Sequence, residues 1–228
     1  MKIVHASVSE NNTAGWDGKA KAGDQTGREV CVVPWYSSPW DIVLRYPDKN
    51  ISTKAQDAAR ALAASNLVGY DQSERNSLYK ALKACNYDVA KYIKTGEKTE
   101  CDCSSFVYAV YACFIPRMRN DYNAPVTSTM RTMYTQWGFS VFTDSEYLNG
   151  QNLIDGDILV NELSHTAIAF NDVVEIPKTL GVVDTAIDTI ARDVIKGHWG
   201  NGSERKERLY AAIQNRVNEL WKMGVRGD

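Results

Sequence analysis

Glu100-Cys101-Asp102-Cys103-Ser104-Ser105-Phe106-Val107-Tyr108-Ala109-Val110-Tyr111-Ala112-Cys113 opens polar and tight, then becomes an apolar run that can hardly be a surface segment. Asp102 carries a helix-capping side chain, Ser104 and Ser105 suit a first turn, and Val107, Val110 and Tyr111 recur at helical spacing. The stretch predicts a buried helix with Cys103 at its N-terminus. Unpaired backbone N–H groups and the helix dipole lower a thiol's pKa there, and a thiolate is the better nucleophile.

A histidine belongs with such a cysteine. The chain has three: His5, His165 and His198. His165 follows Gly156-Asp157-Ile158-Leu159-Val160-Asn161 and opens Thr166-Ala167-Ile168-Ala169-Phe170, which reads as turn, strand, short loop, strand. An imidazole fixed at a strand end is a rigid partner for a helix-borne thiol. The pair is the minimum for cysteine acyl transfer.

The 228 residues suffice for one large domain, or one domain plus a small module. Hydrophobic content of 44% and charged content of 24% suit a soluble globular protein. A net charge of -2 gives no long-range attraction to nucleic acid. No stretch approaches the length that spans a bilayer, and residues 1–10 lack a signal-peptide core. Five cysteines, an odd count, argue against a complete disulfide framework. Cys101 and Cys103 have no second close cysteine pair, which argues against structural zinc. Cys31, Cys85 and Cys113 read as core fillers, and Cys101 as either buried or exposed beside the cap.

Asp102-Cys103-Ser104-Ser105-Phe106, Gly156-Asp157-Ile158-Leu159 and His165-Thr166-Ala167-Ile168-Ala169-Phe170 together resemble the NlpC/P60 family of peptidoglycan-cleaving cysteine peptidases. His5-Ala6-Ser7, Ala22-Gly23-Asp24-Gln25-Thr26-Gly27-Arg28-Glu29-Val30, Trp35-Tyr36 and Gly69-Tyr70-Asp71-Gln72 resemble bacteriophage endolysins in particular. The resemblance implies an α+β, papain-like fold, a nucleophile helix packed on an antiparallel sheet that carries the histidine. It implies a tyrosine near the nucleophile, here Tyr70, whose hydroxyl would stabilise the oxyanion; a core-edge tyrosine is the other reading. It also implies a polar residue that orients the histidine from the strand after it. Glu175 is preferred over Asp172, with Asn171 a further candidate; Glu175 as a surface charge is the other reading.

Taken in order, the chain predicts strands over 3–8 and 28–35, with loop between. Residues 42–46 read as strand or helical turn, ended by Pro47-Asp48-Lys49-Asn50. Helices follow over 53–65, over 75–84 with Ser73 as cap, and over 89–93 with Gly96 as stop. A short helix over 130–137, capped by Thr127 or Ser128, and an edge strand over 139–142 complete the catalytic part. His5 either touches ligand or is a hydrogen-bonded structural histidine; Asp24 and Gln25 either shape a turn or touch substrate. Trp35 and Trp40 belong to an aromatic turn that serves as cleft rim or core. With Asp102 and Ser104 they make up the substrate-contacting set.

Beyond residues 179–185, which read as a linker, the character changes. Ile190-Ala191-Arg192-Asp193-Val194-Ile195, Gly197-His198-Trp199-Gly200-Asn201-Gly202 and Val217-Asn218-Glu219-Leu220 resemble the Cpl-7-type cell-wall-binding module. That family forms three-helix bundles that bind muropeptide fragments. The spacer before its third helix is missing here, so the module is shortened, with little core of its own. Self-association through these helices, or support from residues 1–178, would stabilise it. By chemistry Trp199 stacks on a sugar and Arg205 grips a carboxylate, or the first fills the bundle core and the second is solvated.

The expectation is a phage endolysin, made in the host cytoplasm without an export signal and released to the wall at lysis. It hydrolyses an amide of the peptidoglycan stem through Cys103 and His165, with no metal or organic cofactor. The family points to a γ-D-glutamyl endopeptidase. An N-acetylmuramoyl-L-alanine amidase and a non-catalytic wall binder are the alternatives.

Overall fold

Alternating burial along short strands builds the sheet that carries His165. The computed structural model describes residues 1–8, 29–37, 39–119 and 123–171, and further on 193–194, 197, 199 and 205–211. Two compact units divide the chain, Met1–Asp172 and Val173–Asp228. In the first unit, β1 (Lys2–Ala6), β2 (Val30–Pro34) and β3 (Ile42–Arg45) precede α1 (Lys49–Ser65). Then come β4 (Val68–Tyr70), α2 (Ser77–Ala84), α3 (Val89–Thr95), β5 (Thr99–Cys101) and α4 (Cys103–Ala112). After a 3-10 turn at Pro116–Met118 follow α5 (Thr127–Gln136), β6 (Ser140–Phe142), α6 (Ser145–Leu148), β7 (Ile158–Asn161) and β8 (His165–Phe170).

The main sheet runs β2-β1-β8-β7-β3-β6, and every pairing in it is antiparallel. Side chains alternate between its faces. Val4, Ala6, Ile42, Leu44, Ile158, Val160, Ile168 and Phe170 share one core with α1 and α4. Ile3, Val43, Leu159, Ala167 and Ala169 form a second cluster with Trp40 and Leu153 on the other face. This is an α+β fold, as the sequence implies. Every residue of α4 is buried, so it is the central helix of the layer. Burying a side chain such as Phe106 or Val110 is worth about 1.5–3 kcal/mol.

The local readings hold where a strong cap or turn residue sets the boundary. Gly96, at φ +68°, ends α3. Others shift. Asp48 starts a helix instead of ending a strand: its carboxylate accepts the N–H groups of Asn50 and Ile51, and α1 begins at Lys49. Ser73 does not cap α2, because its N–H and hydroxyl both turn onto Asp71. Val68–Tyr70, between the first two predicted helices, is a strand that pairs in parallel with β5. Cys101 is fully buried, its thiol directed to the Gly69 carbonyl at 3.5 Å. All five cysteines are free.

One turn bolts the histidine strand to the helical layer. Gly156 sits at φ +82°, and a Cβ there would meet the Ser52 carbonyl oxygen at 2.5 Å. Its carbonyl accepts the Tyr111 hydroxyl of α4, and its N–H donates to Ala169 of β8 at 2.8 Å. The next residue, Asp157, is buried and accepts two bonds from Arg45, at 2.7 and 2.6 Å.

In the second unit, residues 205–211 are helical. Gly197, at φ +79°, donates its N–H to the Val194 carbonyl at 3.0 Å and closes a turn. Trp199 and Arg205 are each half-buried.

Candidate active site

At the start of α4 the chain leaves β5 in an extended conformation, with Asp102 at φ −106° and ψ −178°. Asp102 then makes a reciprocal cap with Ser105. Its Oδ1 accepts the Ser105 N–H at 2.7 Å, while the Ser105 hydroxyl accepts the Asp102 N–H at 2.8 Å. The Ser104 hydroxyl donates to the same Oδ1 at 3.0 Å. Cys103, between them, is 7% exposed. Arg75 crosses this helix end, its Nε 2.6 Å from Asp102 Oδ2 and its Nη2 2.9 Å from the Ser104 hydroxyl.

The histidine arrives from the sheet. The turn between β7 and β8 is fixed by its own backbone and by neighbours. Asn161 donates to the Pro39 carbonyl at 2.6 Å, and the Glu162 N–H donates to Asp41 at 2.7 Å. Arg131 of α5 holds the Glu162 carboxylate with two bonds, at 2.9 and 2.8 Å. This turn puts the Ser164 carbonyl 3.9 Å from Cys103 Sγ, one residue before His165. No hydrogen bond joins Sγ to the imidazole. Instead His165 Nε2 lies 2.8 Å from His5 Nδ1. The register explains this pairing. Val4 lies opposite Ile168, so His5 and His165 are diagonal neighbours on one face of adjacent strands. The indole of Trp40 stacks on His165, with ring centres 6.1 Å apart and planes 28° from parallel.

Burial dominates the electrostatics. The Cys103 thiol is pushed up to about 12, first by desolvation and then by the Asp102 charge. The N–H groups of Thr166 and Ser104, and the Arg75 guanidinium, pull the other way. The expectation of a thiol lowered by its helix end is therefore corrected: the helix-end N–H groups are present, and desolvation outweighs them. Both histidines are lowered to about 4, His165 by burial and then by the charge of His5, and His5 by burial. The resting pair is a thiol and a neutral imidazole. A neutral imidazole is the protonation state a general base needs. Tyr70, on β4, is raised by burial and then by the proximity of Cys103. Its hydroxyl accepts a bond from the Gln72 amide at 3.2 Å, which leaves its own proton free to donate.

The residues singled out from sequence divide accordingly. Cys103 and Tyr70 come together, and the backbone just before His165 reaches Cys103. The imidazole itself lies with His5 against Trp40, a buried ring on the sheet face that carries Ala167 and Ala169. Trp35 stays apart: its backbone N–H bonds the Met1 carbonyl at the Phe170 end of the sheet, and its indole packs by Gly150. Asp102 and Ser104 are buried, and their polar groups are engaged by the cap and by Arg75, so they build the helix end. Glu175 and Asp172 lie outside the described residues, as do Asp24 and Gln25. The Asn171 N–H bonds Asp155 at 2.7 Å. His5, left between two readings, is the hydrogen-bond partner of His165. Arg75 and Gln72 were missed, and no local pattern marks them. Tyr36, seen only as part of an aromatic turn, packs by His5 and Trp40 and feels the charge of Cys103.

A family model described as an endolysin-like domain matches residues 3–176. A second, described as the CW_7 repeat, matches residues 188–221. No curated protein and no solved structure matches the chain.

Proposed function

The chain belongs to the family of the endolysin-like domain, whose model spans well over half of it, and from that premise we propose a phage endolysin that hydrolyses an amide bond in the peptide stem of peptidoglycan. The observation that carries this reading is the approach of Cys103 Sγ, 3.9 Å from the Ser164 carbonyl, to a strand whose next residue is His165. Residues 1–178 form the catalytic domain, papain-like in plan, and 179–185 link it to a wall-binding module over 186–228. The CW_7 match supports wall attachment. With no helix among the described residues long and apolar enough to cross a membrane, release to the wall at lysis fits a protein made in the host cytoplasm.

In the reaction, substrate displaces water at the cleft and His165 takes the Cys103 proton. The sulfur attacks the scissile carbonyl. The Cys103 N–H and the Tyr70 hydroxyl stabilise the oxyanion, and the imidazolium protonates the leaving amine. Water activated by His165 then frees the acyl enzyme. His5 engages Nε2 of His165, which leaves Nδ1 to take the thiol proton once the imidazole turns to the sulfur. No step needs a metal or organic cofactor. The preferred bond is the γ-D-glutamyl linkage to the third stem residue; the muramoyl–alanine bond is the alternative.

A non-catalytic wall binder is favoured by one observation, the deeply protonated thiol that makes no bond to His165. Turbidity loss of wall suspensions with wild type and Cys103→Ala separates the two. Clearing by wild type and none by the variant is expected, and equal, negligible clearing by both overturns the hydrolase. Mass spectrometry of the products then assigns the bond: a new amine on L-alanine marks the amidase.

A further inference from the structure

Arg75 lies just ahead of α2, 28 positions before Cys103 in the chain. All three of its guanidinium nitrogens nonetheless make bonds at the start of the nucleophile helix and the segment beside it. Nε meets Asp102 Oδ2 at 2.6 Å, and Nη2 meets Oδ1 at 3.4 Å and the Ser104 hydroxyl at 2.9 Å. Nη1 meets the Ala124 carbonyl at 2.7 Å, and Nη2 the Pro125 carbonyl at 3.0 Å. The side chains of Arg75 and Asp102 are only 18% and 11% exposed, so solvent screens this pair little. One planar cation thus gathers the cap, the first turn of α4 and the segment leading into α5. Lysine, a point charge on a flexible stem, could not replace that fork.

The chemistry asks for this cation. The Asp102 cap is an anion one residue from the atom that must become negative during attack. Tyr36 and Tyr70 both lie close enough to Cys103 to feel its charge, as does Cys101, two residues before it at the end of β5. None of these carries positive charge, and His165 rests neutral. Among the described residues around the thiol, Arg75 is the cation that favours its ionised form. Resting on the assignment of Cys103 as nucleophile, we propose that Arg75 is a positioning residue that neutralises the Asp102 cap and clamps the first turn of α4, so that charge forming on Cys103 meets no net opposing charge at its helix end. Arg75 touches no substrate; it acts through Asp102 and Ser104.

The test is a charge-pair cycle on the full chain: wild type, Arg75→Gln, Asp102→Asn and the double variant. Iodoacetamide alkylation is followed at Cys103 by peptide mass spectrometry as a function of pH, since four other cysteines are also free. A neutralised guanidinium leaves the cap anion facing the thiol, so Arg75→Gln is expected to slow alkylation about tenfold at fixed pH, one unit of thiol pKa. Asp102→Asn keeps a capping side chain and removes the anion, and is expected to speed alkylation about as much. The double variant is expected within about threefold of wild type. Turnover of soluble muropeptide should fall in Arg75→Gln with KM little changed, and Arg75→Lys should recover part of the loss. Unaltered alkylation profiles in both single variants overturn the proposal. If Arg75→Gln does not fold, Asp102→Asn decides alone: faster alkylation supports the role and an unchanged rate ends it. Wild-type turnover in Cys103→Ala would remove the nucleophile assignment, while the alkylation cycle would still report whether Arg75 governs the thiol.

Discussion

The two halves of the candidate site are held by different physics. On the thiol side, Asp102, Ser104, Ser105 and Arg75 form a dense, charge-assisted network around one helix end. On the imidazole side, His165 is held by a stacked indole and a single bond between two neutral rings. Charge-assisted bonds are short and directional, about twice as strong as neutral ones. Aromatic packing positions a ring more loosely and lets it turn about χ1 and χ2. The structure therefore holds the Cys103 end more tightly than the imidazole, and in the proposed reaction the step that brings them into contact belongs to the histidine.

The largest stability effect that sharpens this contrast lies at the root of the histidine strand. Asp157→Ala leaves Arg45 without its carboxylate partner and the N–H of Ile154 without its acceptor. A loss of about 3–5 kcal/mol is expected, read from urea unfolding, because a largely buried charge is stranded. A smaller loss would mean that the turn is held mainly by Gly156 and Tyr111. Next comes Tyr70→Phe, which removes the hydroxyl beside Cys103 and keeps the ring. A fall in kcat of about a hundredfold is expected, near 2.7 kcal/mol, with little change in melting temperature. An unchanged kcat would make Tyr70 a core-edge residue only.

The smallest effect is a pH dependence peculiar to the imidazole side. Both histidines have folded values of about 4, below the ordinary 6.5. As pH falls, the unfolded chain takes up these protons first. The stabilising contribution is complete above pH 6.5 and is lost as pH drops from 6.5 to about 4. The loss is followed by melting temperature, and His5→Gln should flatten it. The acid limb of activity should likewise fall well below pH 6.5. A limb near 6.5 would mean that His165 is solvated in the working enzyme.

Legibility from sequence follows the same division. Asp102, Cys103 and Ser105 announce a capped helix because capping is decided within four residues. Likewise Gly156-Asp157 announces a turn and His165 a strand start. The His5–His165 bond was not legible, since it needs β1 to lie beside β8, a fact of strand order across most of the chain. Arg75 was not legible either, because its partners lie on α4 and ahead of α5 and no periodicity links them. The thiol's protonation was misread for a related reason. Helix ends are local, but the desolvation that outweighs them comes from the packing of the whole layer. Strand β4 escaped because three residues leave too little alternation to read.

Cleavage of soluble muropeptide by wild type, Cys103→Ala, His165→Ala and the double variant tests the sulfur–imidazole pair most directly, each protein first shown to melt cooperatively. Groups that act as one unit are not additive, so each single variant should lose on the order of a thousandfold or more in kcat/KM and the double no more than either. Wild-type rates in either single variant, or losses that simply multiply in the double, would contradict a shared catalytic role for Cys103 and His165.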